Sequence, residues 1–216
     1  MKKQSRTFLT ESGMAKYSSS PDSYVYPGTD VLINKEGIKD AVSLEIAETN
    51  SYLFAAAGLK ENPVKGTFDF IHLQKIHERL FGDLYEWAGQ IRTVDISKGN
   101  SRFANHQYIE SAANQLLFQL KHENHLKRLD ADKISERIAH YLGELNAIHP
   151  FREGNGRAAR HFIGQLVNEA GYVIQWENMN QIQMTNAAIL SFHGDSTELA
   201  RLIRDNLKAL IPQKPR

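Results

Sequence analysis

The chain has 216 residues, 41% hydrophobic and 24% charged, which is enough for one sizeable core. Twenty-six Lys and Arg against 25 Asp and Glu leave a formal charge of +1, which argues against a uniformly basic nucleic-acid binder or a polybasic membrane protein. The absence of cysteine excludes a disulfide framework, a thiolate zinc site and a cysteine nucleophile, and it fits a reducing, cytoplasmic setting.

Residues 1–22 are polar, with a positive start but no apolar core, so they read as a mobile tail rather than a signal peptide. No apolar run approaches the roughly 18 residues of a membrane helix. The domain is expected over 23–212. Pro27-Gly28 forces a bend in an extended stretch, Tyr24 to Asp30. Ile38, Val42, Ile46, Tyr52 and Ala56 predict a helix from 35 to about 59, and Phe68, Ile71, Ile76 and Leu80 a second one ending at Gly82. Tyr85 to Gly89 reads as a short helical turn. The period then changes: β-branched Ile91, Val94 and Ile96, followed by Phe103, flank Lys98-Gly99-Asn100-Ser101 and predict a hairpin. Two strands alone are not stable, so this hairpin must lean on helices.

Helical spacing resumes from 108 to about 126, and again through Ile134, Ile138, Tyr141, Leu142, Leu145 and Ile148 until Pro150 removes the amide proton the next turn needs. A further helix fits 156–170, with Ala159, Phe162, Ile163, Leu166 and Val167 on one side and Gly171 as cap. Two more are expected over 179–192 and 196–210. There is no internal repeat or composition break. One mainly α domain with a short β-hairpin is the expected architecture.

The chemistry lies between the two best-defined helices: His149-Pro150-Phe151-Arg152-Glu153-Gly154-Asn155-Gly156-Arg157-Ala158-Ala159-Arg160. Gly154 and Gly156 let a ligand approach the main chain, and amides before a helix N-terminus form an anion site. Arg157 and Arg160, three apart, share a helix face opposite the apolar stripe, and two guanidinium forks suit a polyphosphate. Glu153 would repel phosphates unless a divalent cation lies between, which is how Mg²⁺ is commonly held. His149 titrates in the range of a general base for an attacking hydroxyl. Phe151 is expected to point inward and anchor the loop. Singly, these residues read as a helix end, a turn and a solvated face. Nine specified positions meeting by chance has a probability on the order of 10⁻⁹ at average usage, which sets the block apart.

This block resembles the signature of the Fic (filamentation induced by cAMP) family, His-Pro-Phe-x-Asp/Glu-Gly-Asn-Gly-Arg-x-x-Arg, at every fixed position. Glu144-Leu145-Asn146-Ala147-Ile148, Tyr26-Pro27-Gly28-Thr29, Trp87-Ala88-Gly89 and Ser101-Arg102-Phe103 are also similar to Fic proteins, so the resemblance spans about 24–210. It implies a helical Fic fold and a protein adenylyltransferase that moves AMP from ATP to a Ser, Thr or Tyr hydroxyl, releasing pyrophosphate. His149 would be the base and Glu153 the Mg²⁺ ligand. Gly154, Asn155 and Gly156 would cradle the anion, while Arg157 and Arg160 would hold the outer phosphates. The hairpin, about 91–105, would be the flap that pairs with an extended target segment by strand addition, with Lys98, Gly99, Asn100 and Ser101 at the contact.

Many Fic proteins carry an inhibitory helix, Ser/Thr-x-x-x-Glu-Gly/Asn, whose glutamate pairs with the second motif arginine. Thr7-Phe8-Leu9-Thr10-Glu11-Ser12 has the first spacing but ends in Ser. Glu36-Gly37, Glu61-Asn62, Glu123-Asn124, Glu153-Gly154 and Glu177-Asn178 lack the upstream hydroxyl. The resemblance therefore implies a toxin-like member, restrained by a small antitoxin that supplies a glutamate toward Arg160. Its target would be a topoisomerase subunit or, for an effector delivered into a host cell, a small GTPase. No direct nucleic-acid contact is expected. The alternatives are transfer of UMP, phosphocholine or a phosphoryl group, and a non-catalytic nucleotide- or partner-binding module. His122-Glu123-Asn124-His125 lacks the His-Glu-x-x-His form of a zinc hydrolase.

Overall fold

Four helices start on side chains that accept backbone N–H groups of the first turn, satisfying donors that have no partner inside the helix. Asp40 opens α1 (Ala41–Glu61), Asp69 opens α2 (Phe70–Phe81), Asp130 opens α4 (Ala131–Ile148) and Asn180 opens α6 (Gln181–Phe192). Between and after these lie β1 (Ser97–Lys98), β2 (Ser101–Arg102), α3 (Ile109–His122), α5 (Asn155–Glu169), β3 (Tyr172–Ile174), α7 (Thr197–Asp205) and β4 (Leu207–Ala209). The computed structural model describes residues 22–99 and 101–210. All of the 1–22 tail except Asp22, the Thr7 to Ser12 motif, flap residue Asn100 and the domain end at 212 lie outside them.

The mainly α architecture with a small hairpin is as the periodicity and the resemblance imply. The helix α4 packs against α3, α5, α6 and α7, while α2 lies between α1 and α5. Ile138, Tyr141, Phe162, Ile163 and Leu166 form the centre of the core together with Leu73, Ile76 and Leu80 of α2, all effectively inaccessible to water. Burying each such side chain stabilises the fold by about 1.5–3 kcal/mol before chain entropy is counted. Among the described residues no helix is long and apolar enough to cross a membrane.

Three elements differ from the sequence expectation. Helix α1 starts at 41 rather than 35, because Asn34 holds residues 34–38 in a turn through bonds to Leu32 and Ile38. Its buried stripe is Leu44, Ala55 and Leu59, with Glu48 and Tyr52 in the same register, whereas Val42 and Ile46 face out. This helix is apolar around most of its circumference, so hydrophobic spacing alone cannot choose its inner face. Helix α3 stops at His122, where Asn124, His125 and Leu126 turn left-handed. The expected 196–210 helix ends at Asp205, and β4 pairs antiparallel with β3, Ile174 opposite Leu207. That pairing joins segments over 30 residues apart, so no local propensity announces it.

Candidate active site

Helix α4 ends at His149, which sits in the left-handed region with φ 50° before Pro150. The reversal that follows is stapled by Asn155, whose side-chain oxygen accepts from Phe151 N (2.8 Å) and whose amide donates to Phe151 O (2.8 Å). Asn155 thus shapes the Gly154–Gly156 loop through its side chain. Phe151 is buried and stacks on His77 of α2 at 3.9 Å between ring centres. His77 accepts from Gly89 N at Nδ1 (2.9 Å) and therefore donates from Nε2 to the Glu153 carbonyl (2.8 Å). Burial pushes His77 down to about 4, which keeps it neutral in this role. Gly154 takes φ 79°, and a Cβ there would lie 2.5 Å from the Phe81 ring, so the backbone needs glycine twice over. Arg152 ties the loop to Asp22 through a buried ion pair (2.6 Å).

The imidazole of His149 donates from Nδ1 to Asn146 O (3.0 Å), which places the lone pair on Nε2. Its ring lies nearly parallel to Phe103 at 3.8 Å. Burial holds it well below the ordinary histidine value, at about 4, with Glu153 pulling up and Arg92 and Lys98 pushing down. The ring is therefore neutral at pH 7, the state a proton acceptor requires.

The two arginines separate. Arg157 is paired with Glu48 of α1 (2.6 Å), lies 3.4 Å from Glu153 Oε1, and stacks over Phe81. Glu48 also accepts from the Tyr85 hydroxyl (2.6 Å), whose phenol is driven far above its usual range by burial and by that charge. Arg160 has no ion pair among the described residues. Burial, with the Arg157 charge adding to it, disfavours its cation, so an arriving anion has most to offer there. Arg157 is covered by Tyr52 and Phe81, and both arginines are half-buried rather than on a solvated face.

Glu153 is buried, and its Oε1 accepts from Gly154 N (2.9 Å). Among the described residues no three His, Asp or Glu gather as a metal cage. A cation at Glu153 would therefore take most of its ligands from phosphates and water, as Mg²⁺ does, and a single buried carboxylate beside the anion loop fits that role. The flap is short: Ser97 pairs with Arg102 and Lys98 with Ser101, with Gly99 at φ 55°. Lys98 and Gly99 are exposed and Ser101 half-buried, while Ile96 and Phe103 behind them are buried. His149, Glu153, Gly154, Gly156, Arg157 and Arg160 thus gather at one helix junction, with the flap joined to it through Phe103.

Sequence reasoning passed over Glu48, His77 and Arg92. A glutamate in register with Leu44, Ala55 and Leu59, and a histidine one position past Ile76 in an apolar helix, are polar residues where the period calls for burial. Arg92, wholly buried, had no such signal because it lies outside any regular element.

Residues 67–167 match the model of the Fic/DOC family. Protein adenylyltransferase VbhT of Bartonella schoenbuchensis is 50% identical over 90% of this chain, and the chain spans 41% of that protein's length. "Probable protein adenylyltransferase Fic" of Escherichia coli is 38% identical over 85% of this chain and 91% of its own. The crystal structure of BepC, a VirB-translocated effector of Bartonella tribocorum with AMPPNP bound, superposes with a TM-score of 0.80 at 30% identity, covering 87% of this chain and 97% of that one. With the signature loop at the helix junction and relatives that match nearly end to end, the chain belongs to the Fic/DOC family.

Proposed function

We propose that this chain is a protein adenylyltransferase that transfers AMP from ATP to a Ser, Thr or Tyr hydroxyl of another protein. The observation that carries the reading is the neutral His149, proton on Nδ1 and lone pair on Nε2, five residues before a glycine loop that opens a helix. Relatives named protein adenylyltransferases and a related structure holding AMPPNP support it.

In this reading His149 Nε2 takes the proton of the attacking hydroxyl. The new bond joins that oxygen to the α-phosphorus, the α–β phosphoanhydride bond breaks, and pyrophosphate leaves. Gly154 and Gly156 admit the phosphates to the amides at the start of α5, and the helix dipole favours their charge. Arg160 holds the outer phosphates. Arg157, held by Glu48, supplies positive potential and fixes Glu153 rather than reaching out. Glu153 would hold Mg²⁺, which when bound neutralises phosphate charge and favours departure of pyrophosphate. Lys98, Gly99, Asn100 and Ser101 present the target segment. Most of the acceleration then comes from positioning and electrostatics.

A small antitoxin supplying a carboxylate to Arg160 would compete with the outer phosphates; the absence of an ion pair at Arg160 among the described residues supports this partner. ATP labelled at the α-phosphate should mark a protein in lysate, and ATP labelled at the γ-phosphate should not. His149→Ala should lower that labelling by about 10²–10⁴-fold, the usual contribution of a general base, while retaining ATP binding. Incorporation of the γ-label would refute AMP transfer in favour of phosphoryl transfer.

A further inference from the structure

Arg92 lies at the start of the 91–105 flap segment, ahead of the paired residues 97–98 and 101–102, and its side chain is wholly buried. Its guanidinium donates to carbonyls from two parts of the molecule. Nε donates to His149 O (2.8 Å), and one terminal nitrogen reaches Ile148 O at 3.4 Å. The same fork donates to Val94 O (2.6 Å) and Ala104 O (2.5 Å), which bracket the flap's paired strands on either side. The main chain follows the same route: Arg92 N donates to Pro150 O (2.9 Å) and Ala104 N to Ala147 O (3.1 Å).

A buried cation with a fixed fork of five donors is well suited to this place. The last carbonyls of α4 have no partner within the helix and carry the negative end of its dipole. His149 is held in the left-handed region immediately beyond that end, and its ring is aimed by Asn146 O and Phe103. Phe103 in turn belongs to the flap root, one residue before Ala104.

We infer that Arg92 is a positioning residue that locks the flap and His149 into a single unit, so that a hydroxyl presented by the flap meets the imidazole in register. The inference rests on the reading of His149 as base. A lysine at 92 keeps the charge but offers a point donor in place of a fork, so it can serve one side of the bridge and not both.

The test compares wild type with Arg92→Lys in the intact chain. At saturating ATP with magnesium, the initial rate of α-label transfer into lysate protein should fall at least tenfold, while the dissociation constant for ATP stays within twofold. In ¹⁵N spectra the wild-type His149 should show a single tautomer protonated at Nδ1, and the variant a mixture. Wild-type transfer with an unchanged His149 signal would overturn the inference. If Arg92→Lys does not fold, hydrogen exchange at Arg92 Nε in the wild type decides: slow exchange supports the bridge, and exchange as fast as at exposed arginines refutes it. Full transfer by His149→Ala would instead overturn the base reading, whatever the Arg92 result.

Discussion

The junction of α4 with α5 and the flap above it make opposite use of the chain. At the junction nearly every side chain is buried and doubly engaged: Asn155 on Phe151, His77 on Gly89 and Glu153, Arg152 on Asp22. The flap consists of two paired residues on each side of a turn, with exposed Lys98 and Gly99. One region fixes geometry before any ligand arrives. The other presents a short, exposed hairpin, which the proposed function assigns to a target segment that brings its own hydrogen bonds. The contrast teaches that precision and adaptability are divided between neighbours a few residues apart, and substitutions should expose the division.

The largest effect is expected at Gly154→Ala. The added methyl would meet the Phe81 ring at 2.5 Å while forcing an alanine to φ 79°. Overpacking and the left-handed penalty together should cost about 3–4 kcal/mol, read as a lowered denaturation midpoint, with ATP binding lost as the loop moves. Normal stability would show that the junction is softer than its packing indicates.

Acidification should also attack the junction and spare the flap, whose strands carry no histidine. His77 and His149 are both depressed from 6.5 to about 4 by burial, so the unfolded chain binds protons that the folded one refuses. Their contribution to stability is therefore complete above about pH 6.5 and is lost as pH falls toward 4, up to about 3 kcal/mol from each histidine across that window. Transfer activity needs neutral His149 and should hold from pH 7 to about 5 before declining. Denaturation midpoints and initial rates at several pH values check the two windows. An acidic limb centred near 6.5 would contradict the buried, neutral imidazole.

The two signature arginines sharpen the comparison within the junction itself. Arg157→Ala leaves the half-buried Glu48 without its cation, and with both side chains partly accessible the cost should be about 2 kcal/mol of stability. Arg160→Ala removes no ion pair among the described residues, so its loss should fall on ATP affinity instead, about tenfold, with little change in the melting temperature. Equal behaviour of the two variants in both measurements would erase the distinction.

The same division governs what could be read from the sequence. The helices flanking the junction are legible because their determinants are local. Pro150 stops one, and Ala159, Phe162, Ile163, Leu166 and Val167 pattern the other, observed within a residue of its expected ends. The signature residues assemble because they are contiguous. Glu48 and His77 reach the site from α1 and α2, and nothing near them in sequence says which loop they will meet. Helix α1 misleads most, since its apolar residues cover more than one face and the inner one is marked by a glutamate. The hairpin's turn is written in Gly99, but its reduction to two pairs depends on Arg92 and Phe103 anchoring its ends to α4.

Gly99 gives the smallest and most diagnostic contrast with Gly154. Both are left-handed, at φ 55° and 79°, yet a Cβ on Gly99 would meet nothing within 4 Å. Gly99→Ala therefore incurs only the backbone penalty, about 1 kcal/mol, and the exposed turn can relax part of it by fraying. Global stability and ATP affinity should stay as in the wild type, because no junction contact depends on this turn. Target labelling should fall a few-fold, since strand addition needs the flap edge held extended. A loss of ATP affinity as large as that of Gly154→Ala would mean that the turn reaches into the nucleotide site, and the separation of a rigid chemical junction from an adaptable docking edge would fail.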